Sequence, residues 1–234
     1  MQSHISSAYD RDLEQIQALI MKMGGLVEHA ILEGAKALEA RDVDAAEVVR
    51  KADKVIDAIE EQINEEAART IALRAPVSKD LRTLLSVLKL ASSLERVGDY
   101  AKNMAKRTSV LAEMKPITGT DAALRRMGKE VQSMLSDVLD AYVRSDVELA
   151  ENVRQRDLEV DQMYNALFRE FLTFMMEDPR NITACMHMHF IAKNVERMGD
   201  LVTNMAEQVI YMVTGEMPDE DRPKGDKTSS MLTE

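Results

Sequence analysis

The chain has 234 residues, a net charge of −11, 45% hydrophobic residues and only 4% aromatic ones, a size that suits one large domain or two small ones. The acidic balance argues against a nonspecific nucleic-acid binder, which needs Lys and Arg against phosphate. The single Cys185 excludes an intrachain disulfide framework and fits a reducing compartment.

From the amino terminus, Met1 to Ser7 contains no basic region followed by an apolar stretch, so no secretory signal is expected. No run of about 18 apolar residues is present to span a bilayer. The expected location is therefore cytoplasmic. Nine Gly and five Pro leave few breakers in a chain rich in Ala, Leu, Glu and Met, which favours long helices over a sheet.

Leu13, Ile16, Ile20, Met23, Val27, Ala30, Gly34 and Ala37 step by three and four residues alternately, the seam of a helix packed against near-parallel neighbours. The seam ends at Arg41-Asp42-Val43-Asp44, where Asp42 is the expected N-cap of a second helix. Pro76 separates that helix from a third. After the junction 114–120, Leu124, Met127, Val131, Met134, Val138 and Ala141 repeat the first seam. They end at Ser145-Asp146-Val147-Glu148, where Ser145 and Glu148 have the spacing of a capping box. The predicted helices span 8–40, 42–73, 77–113, 119–145, 147–177 and 180–214. Past Gly215 the composition turns to Pro, Asp, Lys, Ser and Thr, and 215–234 reads as a disordered tail.

The second half copies the first. Aligning 23–57 with 127–161, an offset of 104, gives 12 identities in 35 positions, among them Asp42/Asp146, Asp53/Asp157 and Asp57/Asp161. Later, Glu95-Arg96-Val97-Gly98-Asp99 returns at an offset of 101 as Glu196-Arg197-Met198-Gly199-Asp200. Three residues are lost between the second and third helices, where a loop absorbs them. The expected fold is all-α, two tandem pseudo-symmetric three-helix bundles over 8–113 and 119–214.

The copied segment keeps what a helix tolerates badly. Carboxylates at i and i+4 repel, and a mid-helix Gly costs about 1 kcal/mol relative to Ala. Glu95 also continues the apolar stripe of Leu84, Leu88 and Ala91, lying within about 40° of each at 100° per residue. Asp53 lies between Val49 and Ile56, Asp157 between Val153 and Val160, and Glu196 follows Cys185, His189 and Ala192. Beside these four core-facing carboxylates lie Asp57, Asp99, Asp161 and Asp200. A buried anion needs a partner or a proton. Oxygen-only clusters suit Mg, Mn, Ca or carboxylate-bound Fe, with Zn possible. Alternatively, Arg50, Arg96, Arg154 and Arg197 neutralise the acids as ordinary salt bridges. Gly98 and Gly199 permit close helix approach, and Asn103 and Asn204 are candidate donors to the ligands. His187 faces away from Glu196. His189 shares its face two turns away and reads as structural, and the 17 Met as flexible core filler.

These residues together resemble the PhoU family of phosphate-uptake regulators over 8–214. The resemblance rests on the two Glu-Arg-x-Gly-Asp segments, on Asp53-x-x-x-Asp57 and Asp157-x-x-x-Asp161, on Pro76 through Asp80-Leu81-Arg82, and on the ending 209–215. It implies multinuclear metal clusters (Fe, Zn, Mg or Mn) held by Asp53, Asp57, Glu95 and Asp99 and by Asp157, Asp161, Glu196 and Asp200. It also implies a cytoplasmic negative regulator, expected as a homodimer, that links the phosphate ABC transporter ATPase to a sensor histidine kinase. Membrane contact would come only through such partners, and nucleic acid is not expected. The second half departs from the pattern after Pro179, where Arg180-Asn181-Ile182 replaces Asp-Leu-Arg.

No nucleophile and base arrangement, phosphate-cradling Gly loop or dinucleotide fingerprint is visible, so no enzyme is expected. The alternatives are a carboxylate-bridged metal enzyme or metal store, and a plain scaffold. The first normally uses Glu-x-x-His pairs, and none of the four His follows a Glu by three.

Overall fold

Apolar residues at three- and four-residue spacing, with few breakers, build six long helices in the computed structural model, which describes residues 2–218 and side chains from Tyr9 onward. They are α1 (Gln2–Ala40), α2 (Val43–Arg74), α3 (Lys79–Leu111), α4 (Thr120–Arg144), α5 (Val147–Glu177) and α6 (Ile182–Thr214). A short 3-10 turn, Pro179–Asn181, precedes α6. Residues 219–234, most of the expected tail, lie outside the described residues. The α1 backbone is helical from Gln2 rather than from residue 8, and 2–7 contain no Gly or Pro to stop it.

The breaks have local causes. Asp42 Oδ1 accepts the Ala45 N–H at 2.9 Å and caps α2 as expected. At the equivalent corner Asp146, not Ser145, caps α5, accepting the Leu149 N–H at 3.0 Å. The Ser145 capping box does not form, because Ser145 is the left-handed residue that closes α4 (φ 54°). Arg41 has the same φ, so both corners use one geometry. Ser78 (φ 51°) delays the start of α3 to Lys79, and the 3-10 turn delays α6 to Ile182.

The six helices form two tandem three-helix bundles, α1–α3 and α4–α6, around one continuous core. Every residue of the two seams is buried except Leu13, which is half-buried. The bundles meet through equivalent helices running antiparallel. Across α1 and α4, Gln132 donates to Glu28 at 2.7 Å, and Arg41 pairs with Asp121 at 3.1 Å. Across α3 and α6, Arg82 donates to the Met212 carbonyl at one end, and Arg107 bonds His187 at the other. This arrangement is an approximate two-fold. It leaves α2 and α5 on the outer flanks, each packed only within its own bundle. No helix among the described residues is long and apolar enough to cross a membrane.

Candidate functional site: carboxylates at the α2/α3 and α5/α6 interfaces

The copied acids fall where the flanking helix of each bundle meets its inner partner. Asp53 on α2 is 4% exposed, Asp157 and Asp161 on α5 are 3% and 5%, and Glu196 on α6 is 5%. Glu95, Asp99 and Asp200 are half-buried, whereas Asp57 is exposed. The sequence reading of four core-facing carboxylates therefore holds for three, and Glu95 lies at the edge. Asp57 and Asp161, equivalent in sequence, differ in burial.

The glycines explain the close approach. A Cβ at Gly98 would stand 3.2 Å from Ile56 Cδ1 and 3.7 Å from Asp53 Oδ1. At Gly199 it would stand 3.2 Å from Val160 Cγ1 and 3.6 Å from Asp157 Oδ1. Each glycine thus lets the aliphatic side chain one turn from the Asp, Ile56 or Val160, lie close against the α3 or α6 backbone.

In the first half the charge between the acids comes from the chain itself. Lys102 Nζ bonds Asp53 Oδ2 and also Asp99 Oδ1, the latter at 2.6 Å. These bonds, to Asp53 first and Asp99 next, raise the ammonium above the ordinary lysine value. Asp53 Oδ1 remains buried without a hydrogen-bond partner. Loss of water raises the Glu95 carboxyl, and Asp99, Glu60, Asp57 and Asp53 raise it further. Asp57 is open at its surface, yet the protein around it removes enough water to raise its carboxyl. Asp53 and Asp99 add to that effect and Lys102 opposes it. The structure therefore gathers the four predicted acids into one electrostatic cluster and adds Glu60 and Lys102, which sequence reasoning passed over. Their signal was spacing: Glu60 is three residues from Asp57, and Lys102 three from Asp99.

The second half is arranged differently. Thr203 stands at the Lys102 position and donates to the Gly199 carbonyl at 3.0 Å. Lys193 bonds Glu196 Oε1 at 2.8 Å, and its ammonium lies 4.9 Å from the centre of the Tyr164 ring. Arg154 is buried and pairs with Glu151 at 2.8 Å and Glu207 at 3.5 Å. Arg50 pairs with Glu47. Arg96 and Arg197 are exposed, and among the described residues neither has an ion pair. The expected neutralisation of the acids by these two arginines is therefore absent among the described residues, and Lys102 pairs with Asp53 and Asp99, and Lys193 with Glu196, instead.

Other candidates have structural places. His189 packs among Tyr164, Phe168 and Phe190 at 5.5–6.0 Å between ring centres, and burial, with Lys193 nearby, lowers its pKa. Asn103 and Asn204 are exposed. Cys185 is buried, and burial raises its thiol.

The donor chemistry suits a hard cation: carboxylate oxygens only, one of them buried and unpartnered in Asp53, with Glu95 and Asp57 pushed towards holding protons. Convergence is incomplete. Among the described residues no three His, Cys, Asp or Glu side chains form a group that could hold a metal ion.

A family model described as the PhoU domain matches residues 20–108 and 124–209, one match per bundle. The chain is 44% identical over 229 residues to the phosphate-specific transport system accessory protein PhoU homolog of Caulobacter vibrioides (strain NA1000 / CB15N), covering 98% of this chain and 100% of that one. It is 43% identical to the homolog of Rhizobium meliloti (strain 1021), covering 98% and 97%. Among solved structures it is similar to PhoU from Pseudomonas aeruginosa, with a TM-score of 0.86 and 38% identity over 89% of this chain and 100% of that one. The phosphate transport system regulatory protein PhoU from Streptococcus pneumoniae superposes with a TM-score of 0.83 at 31% identity, covering 90% and 99%.

Proposed function

The chain belongs to the PhoU family, a regulator in phosphate homeostasis and not an enzyme, and from that premise we propose that it represses the phosphate-starvation response as an adaptor. In this reading it docks onto the ATPase subunit of a phosphate ABC transporter and onto a phosphate-responsive sensor histidine kinase. The observation that supports the reading is near full-length similarity to accessory proteins of phosphate-specific transport. Two bundles related by an approximate two-fold offer two similar outer surfaces, which suits an adaptor. A net charge of −11 favours basic patches on partners, so complexes should weaken as salt rises. The test is a deletion strain grown in phosphate-rich medium. Starvation genes should switch on with no metabolic reaction lost, and the partners should co-purify at low salt. Normal repression in the deletion strain overturns the reading.

We also propose that the carboxylates hold metal, by Asp53, Asp57, Glu95 and Asp99 in one bundle and by Asp157, Asp161, Glu196 and Asp200 in the other. The support is the buried, unpartnered Asp53 Oδ1 and the mutual repulsion that raises Glu95 and Asp57. A bound cation would supply positive charge that ties the flanking helix to its inner neighbour, while Lys102 holds part of that place in the first bundle. Elemental analysis of protein purified without chelator tests this. Asp99→Asn and Asp200→Asn should each lower metal per chain, and equal metal in parent and variants removes those ligands. The expected assembly is a homodimer, which light scattering checks.

A further inference from the structure

On one side of the α3/α6 seam lies a recess of about 430 Å³, lined by Asn103, Lys106, Arg107 and Val110 of α3 and by His187 and Asn194 of α6. No carboxylate lines it, in a chain with 41 acidic and 30 basic residues. Among the described residues neither Lys106 nor Arg107 has an ion-pair partner. Arg107 is held in place from two directions. Its guanidinium carbon lies 4.4 Å from the centre of the Phe190 ring, and its Nη1 stands 3.2 Å from His187 Nδ1. A guanidinium cannot accept a hydrogen bond, so Nδ1 accepts and the imidazole proton belongs on Nε2. The recess is thus bordered by an ammonium, a fixed guanidinium, an imidazole ring and two side-chain amides.

The internal duplication supplies a control. At an offset of 101, Lys106, Arg107 and His187 correspond to Glu207, Gln208 and Ser86. Ser86 and Gln208 line a different hollow at the other end of the same seam, together with Leu85, Leu88, Tyr211, Met217 and a single basic residue, Lys89. That hollow is largely apolar. The pairing of an ammonium with a guanidinium is therefore a property of one end only, and helix packing alone did not require it.

We propose that this recess binds a phosphate-type oxyanion, as free orthophosphate or as the phosphate group of a small phosphomonoester. An oxyanion presents acceptors on every side, and charge-assisted bonds from guanidinium and ammonium are the strong kind. Orthophosphate fills only part of the space, which leaves room for a substituent. None of the eight candidate metal-binding carboxylates lines the site, and binding there does not depend on a metal.

The test uses the full chain treated with EDTA, with NMR of the His187 imidazole as the local reporter. Orthophosphate, AMP and sulfate are added at constant ionic strength. Saturable His187 shifts are expected, with affinity falling at least about 10-fold in Lys106→Glu and in Arg107→Gln, as loss of a charge-assisted bond implies. Gln208→Glu, at the equivalent position in the other hollow, should leave affinity unchanged. Saturation by orthophosphate identifies the free anion as the source. Saturation by AMP alone identifies a phosphomonoester. Lys106 is exposed, so its variant reports on binding even if Arg107→Gln disturbs the packing on Phe190. The proposal is overturned if His187 does not respond at millimolar anion, if sulfate and phosphate act only as nonsaturable salt, if Lys106→Glu binds as tightly as the parent, or if the shifts appear only when divalent metal is restored.

Discussion

At the α2/α3 interface a lysine lies between the acids, whereas at the equivalent α5/α6 interface that position is a threonine bonded to its own helix. Lys193 approaches Glu196 from within α6 instead, where the first half has Ser92. The duplication thus carried the carboxylates and the glycines unchanged and replaced the counter-charges. Acids preserved through two different local solutions act as a module, with the cations around them adjustable. Burial follows the same division: Asp161 is enclosed and Asp57 is not.

The sharpest way to break this comparison is to remove the lysine. Lys102→Ala leaves the buried Asp53 without its ammonium, and severing a buried pair costs roughly 3–5 kcal/mol. Lys102 is about a third exposed, so about 2 kcal/mol is expected after screening. Urea denaturation in EDTA measures it, and added divalent cation should restore part of the loss. An unchanged midpoint would mean that the first-half acids do not rely on Lys102.

The caps should show the halves behaving alike. Asp42→Ala and Asp146→Ala each remove one bond of nearly equal length, at a cost of about 1 kcal/mol each. Thermal melts that separate the two by more than that would show that the corners differ in context despite their shared geometry.

The glycines should separate the halves again. Each Gly→Ala change gains about 1 kcal/mol in helix propensity. At Gly98 the tightest contact is the terminal Cδ1 of Ile56 at 3.2 Å, which can rotate away, while Ile56 Cγ2 at 3.4 Å is at the edge of ordinary contact, so the net effect should be near zero. At Gly199 it meets a Cγ of the β-branched, stiff Val160, and overpacking should leave a net loss of about 1 kcal/mol. Equal stabilities for the two variants would contradict this reading of the interfaces.

The smallest effect concerns pH. Glu95 and Asp57 titrate above their unfolded values, so the folded chain holds extra protons just above the ordinary carboxylate range. Stability from these groups therefore falls as pH rises through that window, because ionisation sets them repelling each other and their neighbours. Glu95→Gln should stabilise the metal-free protein at pH 7 by a few tenths of a kcal/mol and flatten the slope. A variant with the parent's pH profile would remove Glu95 from the cluster.

Much of this was legible in one dimension because it is periodic. The seams along α1 and α4, the cap at Asp42 and the core-facing Asp53, Asp157 and Glu196 follow from three- and four-residue spacing. What escaped is what spacing does not carry. Ser145 matched a capping pattern, but its left-handed backbone gave the cap to Asp146. Arg96 and Arg197 sit beside acids in sequence yet project away from them, while Lys102, one turn on, reaches across to α2. The recess depends on which residues of α3 lie opposite α6, a register that neither helix encodes alone.

The antiparallel contacts of α1 with α4 and of α3 with α6 also bear on what a single half would lack. A segment ending at Ala112 would leave the inner faces of α1 and α3 bare, and the surface that covers them has the shape of the segment itself. Two copies could close on one another isologously, with the same residues meeting in both directions. The six-helix protein has the geometry of two such copies joined on one chain. Joining them on one chain lets the two ends of the α3/α6 seam carry different side chains, Lys106 with Arg107 at one and a mostly apolar lining at the other, which an isologous pair of identical copies could not.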